Sequence, residues 1–451
     1  MQESAQESAQ ESAQESAQES AQESAKGPRI YNLFPLLLGP VEEWKARLPA
    51  IADMGFDWIF LNPFHYPGSS GSLYAVKDYD RLHPLVQGSR SQSPDSRLQG
   101  FVSAARDAGL AVMMDLVVNH TARDSPLVAA HPQWYLHDED GAIRSPFAVD
   151  PDDPEAITVW EDLAELDYTE RPEREALLAH WDEVVTHYVG LGFRGFRCDA
   201  AYKLPGEVWQ QLIDTARGAD PEVCFFAETL GAQIDEVDQL RPAGFDYFFN
   251  SAKWWDFRGD WLLDQYEQFR HLAPSIAFPE SHDTDRLAAE TGGSENESRL
   301  WYLFAAFFSS GVMMPIGYEL GFRRPLDVVE TRPQDWEETG FDISDFVAAV
   351  NAMKAETQVL NEEGPQERVT DRDAPVVGLL RRSDHGSQRA LALINPDPER
   401  GEHFARGRLA RALESDPGAI REITPRQDGR SPDEGENLIM APRAIRVFVV
   451  D

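Results

Sequence analysis

From Arg29 onward the chain alternates between short apolar runs and longer amphipathic stretches. Residues 30–34, 57–61, 111–117, 195–198, 223–227, 245–249, 275–278 and 312–316 are bounded apolar blocks of strand length. Between most of them lie segments with helical spacing, at residues 41–54, 96–108, 173–189, 207–216, 259–270 and 298–308. Strand–helix alternation repeated eight times predicts an α/β fold, a (β/α)8 TIM barrel. One interval breaks the rhythm. Between Val117 and Glu173 the chain is rich in Pro, Asp and Trp, and loops of that length are functional or form a subdomain. After about Gln366 the runs 376–380, 390–394, 437–440 and 444–449 alternate with polar turns, which predicts a small C-terminal β-sandwich. The expected organisation is a tail over 1–28, a barrel over 29–118 and 171–360, an inserted subdomain over 119–170 and the β-sandwich over 361–451.

The tail is expected to stay out of the core. Residues 2–25 are tandem copies of Gln-Glu-Ser-Ala, a repeat with no large apolar side chain to bury. In the rest of the chain, 42% hydrophobic residues overall supply a substantial core and exclude wholesale disorder. The formal charge of −37 argues against a nucleic-acid partner, because phosphate binding needs a basic stripe. No apolar run approaches membrane-spanning length, so no membrane partner is expected. The N-terminus lacks a basic patch followed by an apolar core, which leads to the expectation of a cytoplasmic protein. Cys198 and Cys224 are too few for a disulfide framework or metal cluster, and both are expected to be buried thiols.

In a barrel of this kind, chemistry sits at the C-terminal ends of the strands and in the loops that follow. There the third strand carries Asp115-Leu-Val-Val-Asn119-His120, the fourth Gly195-Phe-Arg197-Cys-Asp199, the fifth Phe226-Ala-Glu228, and the seventh Phe278-Pro-Glu-Ser-His282-Asp283. A single acid at a strand end is ordinarily a cap or a solvated turn residue. Several acids facing one mouth repel one another, and proteins tolerate such crowding mainly at functional sites. Arg197 stands two residues before Asp199, on the same side of the strand, where it favours the ionised carboxylate.

These four segments, in this order and spacing, resemble the conserved regions of the alpha-amylase family, glycoside hydrolase family 13. The likeness runs from about Arg29 to Asp451. It implies that Asp199 is the nucleophile, Glu228 the general acid/base and Asp283 the carboxylate that stabilises the transition state. It also implies that Arg197, His120 and His282 hold the reacting sugar. Ser72-Leu-Tyr74-Ala-Val-Lys-Asp78 resembles the family stretch after strand two, with Tyr74 where an aromatic stacks on that sugar. Residues 311–321 resemble the eighth-strand region and are expected to be scaffold. Retaining cleavage by two carboxylates fits these residue types: one acid must stay ionised and the other hold its proton near neutrality. Phe225 and Phe226 beside Glu228 suggest an apolar setting that favours the proton.

The chain departs from the family pattern after the nucleophile, where Tyr202-Lys203 stands in place of a Lys-His pair that contributes to substrate binding and to a calcium site. Asn119 and Asp167 remain as oxygen donors for a structural calcium; the expected chemistry itself needs no cofactor, and no zinc cluster or phosphate loop is present. Ala200 follows Asp199, and in related α-glucosidases a small residue there accompanies α-1,4 preference. The expected activity is retaining hydrolysis of α-1,4 bonds in maltooligosaccharides or α-glucans. Transglycosylation, as in maltosyltransferases, is the alternative, with 63–67 and Trp254-Trp255 as candidate rim aromatics for an acceptor. A non-catalytic carbohydrate-binding relative is a third reading, opposed by the complete carboxylate trio.

Overall fold

In the computed structural model, which describes residues 27–88, 92–149, 155–384, 386–425 and 435–451, the eight apolar runs form one closed barrel of parallel strands. In chain order these are β1 (Arg29–Leu33), β2 (Trp58–Leu61), β3 (Ala111–Leu116), β4 (Gly195–Cys198), β5 (Cys224–Glu228), β6 (Tyr247–Phe249), β7 (Ser275–Ala277) and β8 (Gly311–Pro315). Each pairs with its chain neighbours, and β8 closes onto β1 with Arg29 opposite Val312. The repeat over 2–25 lies outside the described residues. Gly27 and Pro28, assigned above to the tail, belong instead to the barrel: Gly27 N donates to Asn361 Oδ1 at 2.9 Å, and the carbonyl of Pro28 accepts from Val312 N. Backbone groups at a buried strand entrance must be paired, which draws these two residues in.

Alternation sends every second side chain into the barrel. Ile30, Phe60, Met113, Phe226, Phe249 and Met313 form that inner cluster, with Trp58 packed against it. Gly195 faces the same space. A Cβ there would come within 2.9 Å of the Trp58 ring and 3.1 Å of Phe226, so glycine allows those two rings, packed edge to face at 5.2 Å, to fill the barrel. The opposite strand faces pack on helices such as Glu295–Phe308, which buries Leu300, Leu303, Phe304 and Phe307 and is capped by the Ser294 side chain accepting from Glu297 N. The helix expected over 41–54 is broken into Val41–Trp44, a 3-10 turn and Leu48–Asp53, because Pro49 has no N–H to extend the ladder.

The interval after β3 holds small paired elements: His120–Ala122 against Leu163–Glu165, and a hairpin of Phe147–Val149 with Ile157–Val159. A second excursion after β2 pairs His65–Pro67 with Val76–Leu82. The C-terminal unit is a five-stranded antiparallel sheet, ordered Gln366–Arg368, Val377–Arg382, Arg389–Asn395, Ala444–Val450, Arg421–Glu422. Leu379, Ala392 and Val447 face the main core. Leu391, Leu393 and Phe448 face a second core closed by Phe404 and Leu438 of a two-stranded cover. Both cysteines are free; Cys198 is buried, but Cys224 is only partly so. Among the described residues no helix is long and apolar enough to cross a membrane.

Candidate active site

The alternation that fills the barrel with apolar side chains ends, at the C-terminal rim, in charged ones. Two residues beyond Met113 stands Asp115, two beyond Gly195 stands Arg197, and two beyond Phe226 stands Glu228. Strand register sets Arg197 directly opposite Asp115. Arg197 Nη1 donates to Asp115 Oδ1 and Oδ2 at 2.9 and 3.1 Å and to Asp199 Oδ1 at 2.8 Å, and Nη2 lies 3.9 Å from Glu228 Oε2. One guanidinium thus bridges three carboxylates. Asp283 lies across the same mouth, half exposed, with His282 Nε2 at 3.1 Å from its Oδ2.

Tyr74 ties the other elements to this cluster. Its hydroxyl donates to Asp115 Oδ2 at 2.6 Å and meets His282 Nε2 at 2.6 Å, with the two rings nearly parallel at 5.6 Å. Burial lowers the pKa of His282, so the ring is neutral and its Nε2–H points to the Tyr74 hydroxyl and Asp283. Burial also lowers that of His120. His120 lines the cavity, but its Nε2–H donates to the carbonyl of Tyr74 at 3.1 Å and its Nδ1 meets the Asn119 amide at 3.4 Å. Nε2 of His120 thus holds the loop that carries Tyr74, while Nδ1 meets the neighbouring residue of its own segment.

The charges follow from burial. Glu228 is pushed up to about 7 by burial, over the opposing pull of Arg197 and of the backbone N–H groups of Leu230 and Ala200. Burial likewise raises Asp115 to about 7 against Arg197. Burial works against the charge of Arg197, but Asp115, helped by Asp199 and Glu228, more than offsets it and the guanidinium stays protonated. The apolar setting of Glu228 comes from Leu230, Phe249 and Phe278, which line a small void with it. Phe226 lies inside the barrel, whereas Phe225 points outward and packs on Phe196 at 5.2 Å; alternation along β5 forbids both from facing Glu228.

Three features are not evident from the sequence. Asp115 stands in its motif without an assigned role; it is fully buried and supports both Arg197 and Tyr74. Glu280 and Arg286, each with 1% side-chain exposure, pair at 2.7 Å and bracket the segment bearing His282 and Asp283. Arg286 also donates to the carbonyls of Ile316 and Arg324, and Leu287 N donates to Glu280 Oε2. Glu280 and Arg286 flanking the seventh-strand motif were the available signal. A third feature is backbone: Ala200 adopts φ +42°, a left-handed conformation uncommon for a residue with a Cβ, and its N–H meets Glu228 Oε2 at 2.8 Å.

Of the candidate rim aromatics, Trp254 is exposed on the cavity wall, while Trp255 is buried against Phe308. The 63–67 segment is absorbed elsewhere: Phe64 and His65 are buried, and Tyr66 lies under Arg81. Of the two residues considered for calcium, Asp167 has other partners for both carboxylate oxygens. Asp167 Oδ1 accepts from Thr169 N and Oγ1, and its Oδ2 pairs with Arg171 at 3.0 Å. Among the described residues no three His, Cys, Asp or Glu side chains are grouped to hold a metal ion. Tyr202 and Lys203 line the cavity.

A closed (β/α)8 barrel whose mouth gathers Asp199, Glu228 and Asp283 around Arg197 is that of a carboxylate-equipped barrel enzyme. Comparison with known proteins narrows the class. Residues 26–140 match the model of the glycogen debranching enzyme glucanotransferase domain. An alpha-1,4-glucan:maltose-1-phosphate maltosyltransferase of Burkholderia pseudomallei is 29% identical over 90% of this chain and 36% of its own length. The enzyme of the same name from Myxococcus xanthus is 27% identical over 79% of this chain and 56% of its own. This chain therefore spans about a third to just over half of the curated relatives it matches. In fold it is similar to a maltogenic alpha-amylase, AmyB, of Thermotoga neapolitana, with a TM-score of 0.70 at 20% identity over 94% of this chain and 99% of that one. By these matches the chain is similar to members of the alpha-amylase family, glycoside hydrolase family 13.

Proposed function

We propose that this protein is a retaining enzyme acting on α-1,4-glucosidic bonds of maltooligosaccharides or α-glucans, with hydrolysis as its reaction. The observation that carries the reading is the pairing of unequal carboxylates on one arginine. Asp199 accepts a hydrogen bond from Arg197 Nη1 at 2.8 Å, while burial raises Glu228 to about 7. Double displacement requires one carboxylate held in place to attack and a second that keeps its proton near neutrality. Glu228 gives its proton to the glycosidic oxygen as Asp199 attacks the anomeric carbon. The leaving chain departs, and Glu228, now ionised, takes a proton from the water that releases the sugar. Asp283, at the half-exposed edge, holds sugar hydroxyls as positive charge develops on the ring. Arg197 supplies the fixed positive charge, and no cofactor enters any step.

A second reading is maltosyl transfer, favoured by the names of the relatives that match most of this chain. The two share every step up to the glycosyl-enzyme and differ in what attacks it. One experiment separates them: incubate the protein with maltoheptaose, and with maltose 1-phosphate plus a glucan, and follow reducing ends, free phosphate and chain lengths. New reducing ends from maltoheptaose support hydrolysis. Phosphate release with glucan elongation supports transfer. A first-formed product with the β-anomeric configuration, or near-normal turnover by Asp199→Asn, overturns the retaining reading altogether.

A further inference from the structure

The cavity of about 610 Å³ that holds Asp199, Glu228 and Asp283 is also walled by exposed aromatic side chains that the chemistry above does not use. Phe147 stands on the insert hairpin, Trp160 directly after it, and Trp254 on the loop following β6. They remain 41%, 42% and 49% exposed. Phe147 is paired with Val159, so the two share a face of the hairpin, and Ile157, two residues from Val159, joins them. Val159 and Ile157 are 52% and 56% exposed. The described residues include six exposed large hydrophobic side chains, and five of them stand here. On a chain of formal charge −37, that concentration marks a binding surface rather than scattered surface residues.

Resting on the reading of the site given above, we propose that Phe147, Trp160 and Trp254 form an aromatic platform for sugar rings of an α-glucan chain beyond the unit being cleaved. The platform makes the enzyme discriminate in favour of longer chains. A glucose ring carries its hydroxyls around the rim and presents C–H groups on its faces, so it lies flat on an aromatic ring while its hydroxyls stay hydrated. The neighbouring charged pair suits a neutral ligand, since Arg144 Nε and Glu165 Oε2 satisfy each other at 2.8 Å. Continuity with the catalytic cavity identifies the occupant: a chain seated at Asp199 and Glu228 must leave the cavity past these walls.

The test uses the full chain and the variants Phe147→Ala, Trp160→Ala, Trp254→Ala and Trp160→Phe. The readouts are kcat/KM on maltoheptaose divided by kcat/KM on 4-nitrophenyl α-glucoside, and calorimetric affinity for maltoheptaose. The ratio and the affinity should each fall about tenfold or more in Trp160→Ala, the scale of losing one stacked ring, and Trp160→Phe should recover most of it. Melting temperatures should not move, because these side chains are exposed. A wild-type protein that binds maltoheptaose through these residues but turns over neither substrate would refute the proposed function and leave the platform standing. Unchanged ratio and affinity in all three alanine variants would overturn the platform. So would an equal loss on both substrates, absence of maltoheptaose binding by the wild type, or a dimer that Phe147→Ala and Ile157→Ser dissolve.

Discussion

Asp115→Asn is the sharpest probe of the site, because it changes one oxygen to nitrogen in a side chain that is fully buried. Asp115 accepts two hydrogen bonds from Arg197 Nη1 and one from the Tyr74 hydroxyl. Asparagine retains one acceptor oxygen and turns an NH2 group toward one of those donors. It also removes a counter-charge from Arg197, whose side chain is 5% exposed. Removing one member of a buried ion pair costs about 3–5 kcal/mol. If about half of that appears in the transition state, through misplaced Arg197 and Tyr74, kcat/KM falls about ten- to seventyfold. The remainder lowers the melting temperature by several degrees. The assay is steady-state kinetics on maltoheptaose alongside thermal melting, for Asp115→Asn, Tyr74→Phe and the double variant. The two single effects should be non-additive by at least about 0.5 kcal/mol, since the residues share a hydrogen bond. Asp115→Asn with wild-type melting and activity within twofold would refute the reasoning.

The pH profile tests Glu228: it must be protonated to act as the acid, so kcat/KM should fall about tenfold per pH unit above its value of about 7, and a profile flat to pH 9 would contradict the assignment. The same raised value means that stability contributed by the protonated carboxyl is complete below 4.5 and lost as pH rises through about 7; Glu228→Gln should lose that decline in chemical-denaturation curves. Glu280→Gln opens a pair buried to 1% on both sides, so kcat should drop more than tenfold with a smaller change in KM, because the loop it anchors carries Asp283; a pure KM effect would show that the pair serves binding alone. Ala200→Gly should stabilise the fold by up to about 1 kcal/mol and Ala200→Val destabilise it, given φ +42° at that residue. With alanine in place, kcat/KM on maltotriose should exceed that on isomaltotriose by about 10- to 200-fold, and equal values would remove the α-1,4 assignment without touching the trio.

The barrel was legible because each strand is a short apolar block and each loop bears its own punctuation. Gly195–Cys198 and Asn437–Met440 match the expected limits at both ends. Harder to read were elements whose pattern is set by neighbours in space. The strand Gln366–Arg368 is wholly polar and Glu402–Ala405 buries only Phe404, so both exist because a neighbouring strand supplies their partners. The division of labour at Phe225 and Phe226 depends on strand parity, which a run of two aromatics does not disclose. The site was legible as a set of residue types at strand ends, but its hierarchy was not. Asp115 and Asp199 are both acids in barrel motifs, and only register and burial show that one lies beneath Arg197 and the other beside the cavity. His120 shows the converse: a residue at a motif position whose hydrogen-bonding capacity is taken up by the protein.

What remains between hydrolysis and transfer is a competition at one wall of one cavity. On the function proposed above, Asp199, Arg197 and Glu228 would form and break the glycosyl-enzyme in either case, and nothing in their geometry prefers one attacking hydroxyl to another. Water reaches a mouth where Asp283 is half exposed. A sugar acceptor must therefore win by binding. Each 1.4 kcal/mol of acceptor binding realised at the intermediate tips the outcome tenfold, which is within reach of a single stacked aromatic ring. The residues able to supply that energy are Phe147, Trp160 and Trp254, on two separate elements, together with Tyr202 and Lys203 on the turn after Asp199. The chemistry of the barrel is set by strand ends, whereas the fate of the sugar is set by the loops above them. In this chain the departure from the resemblance at Tyr202-Lys203 falls in those loops rather than in the carboxylate trio.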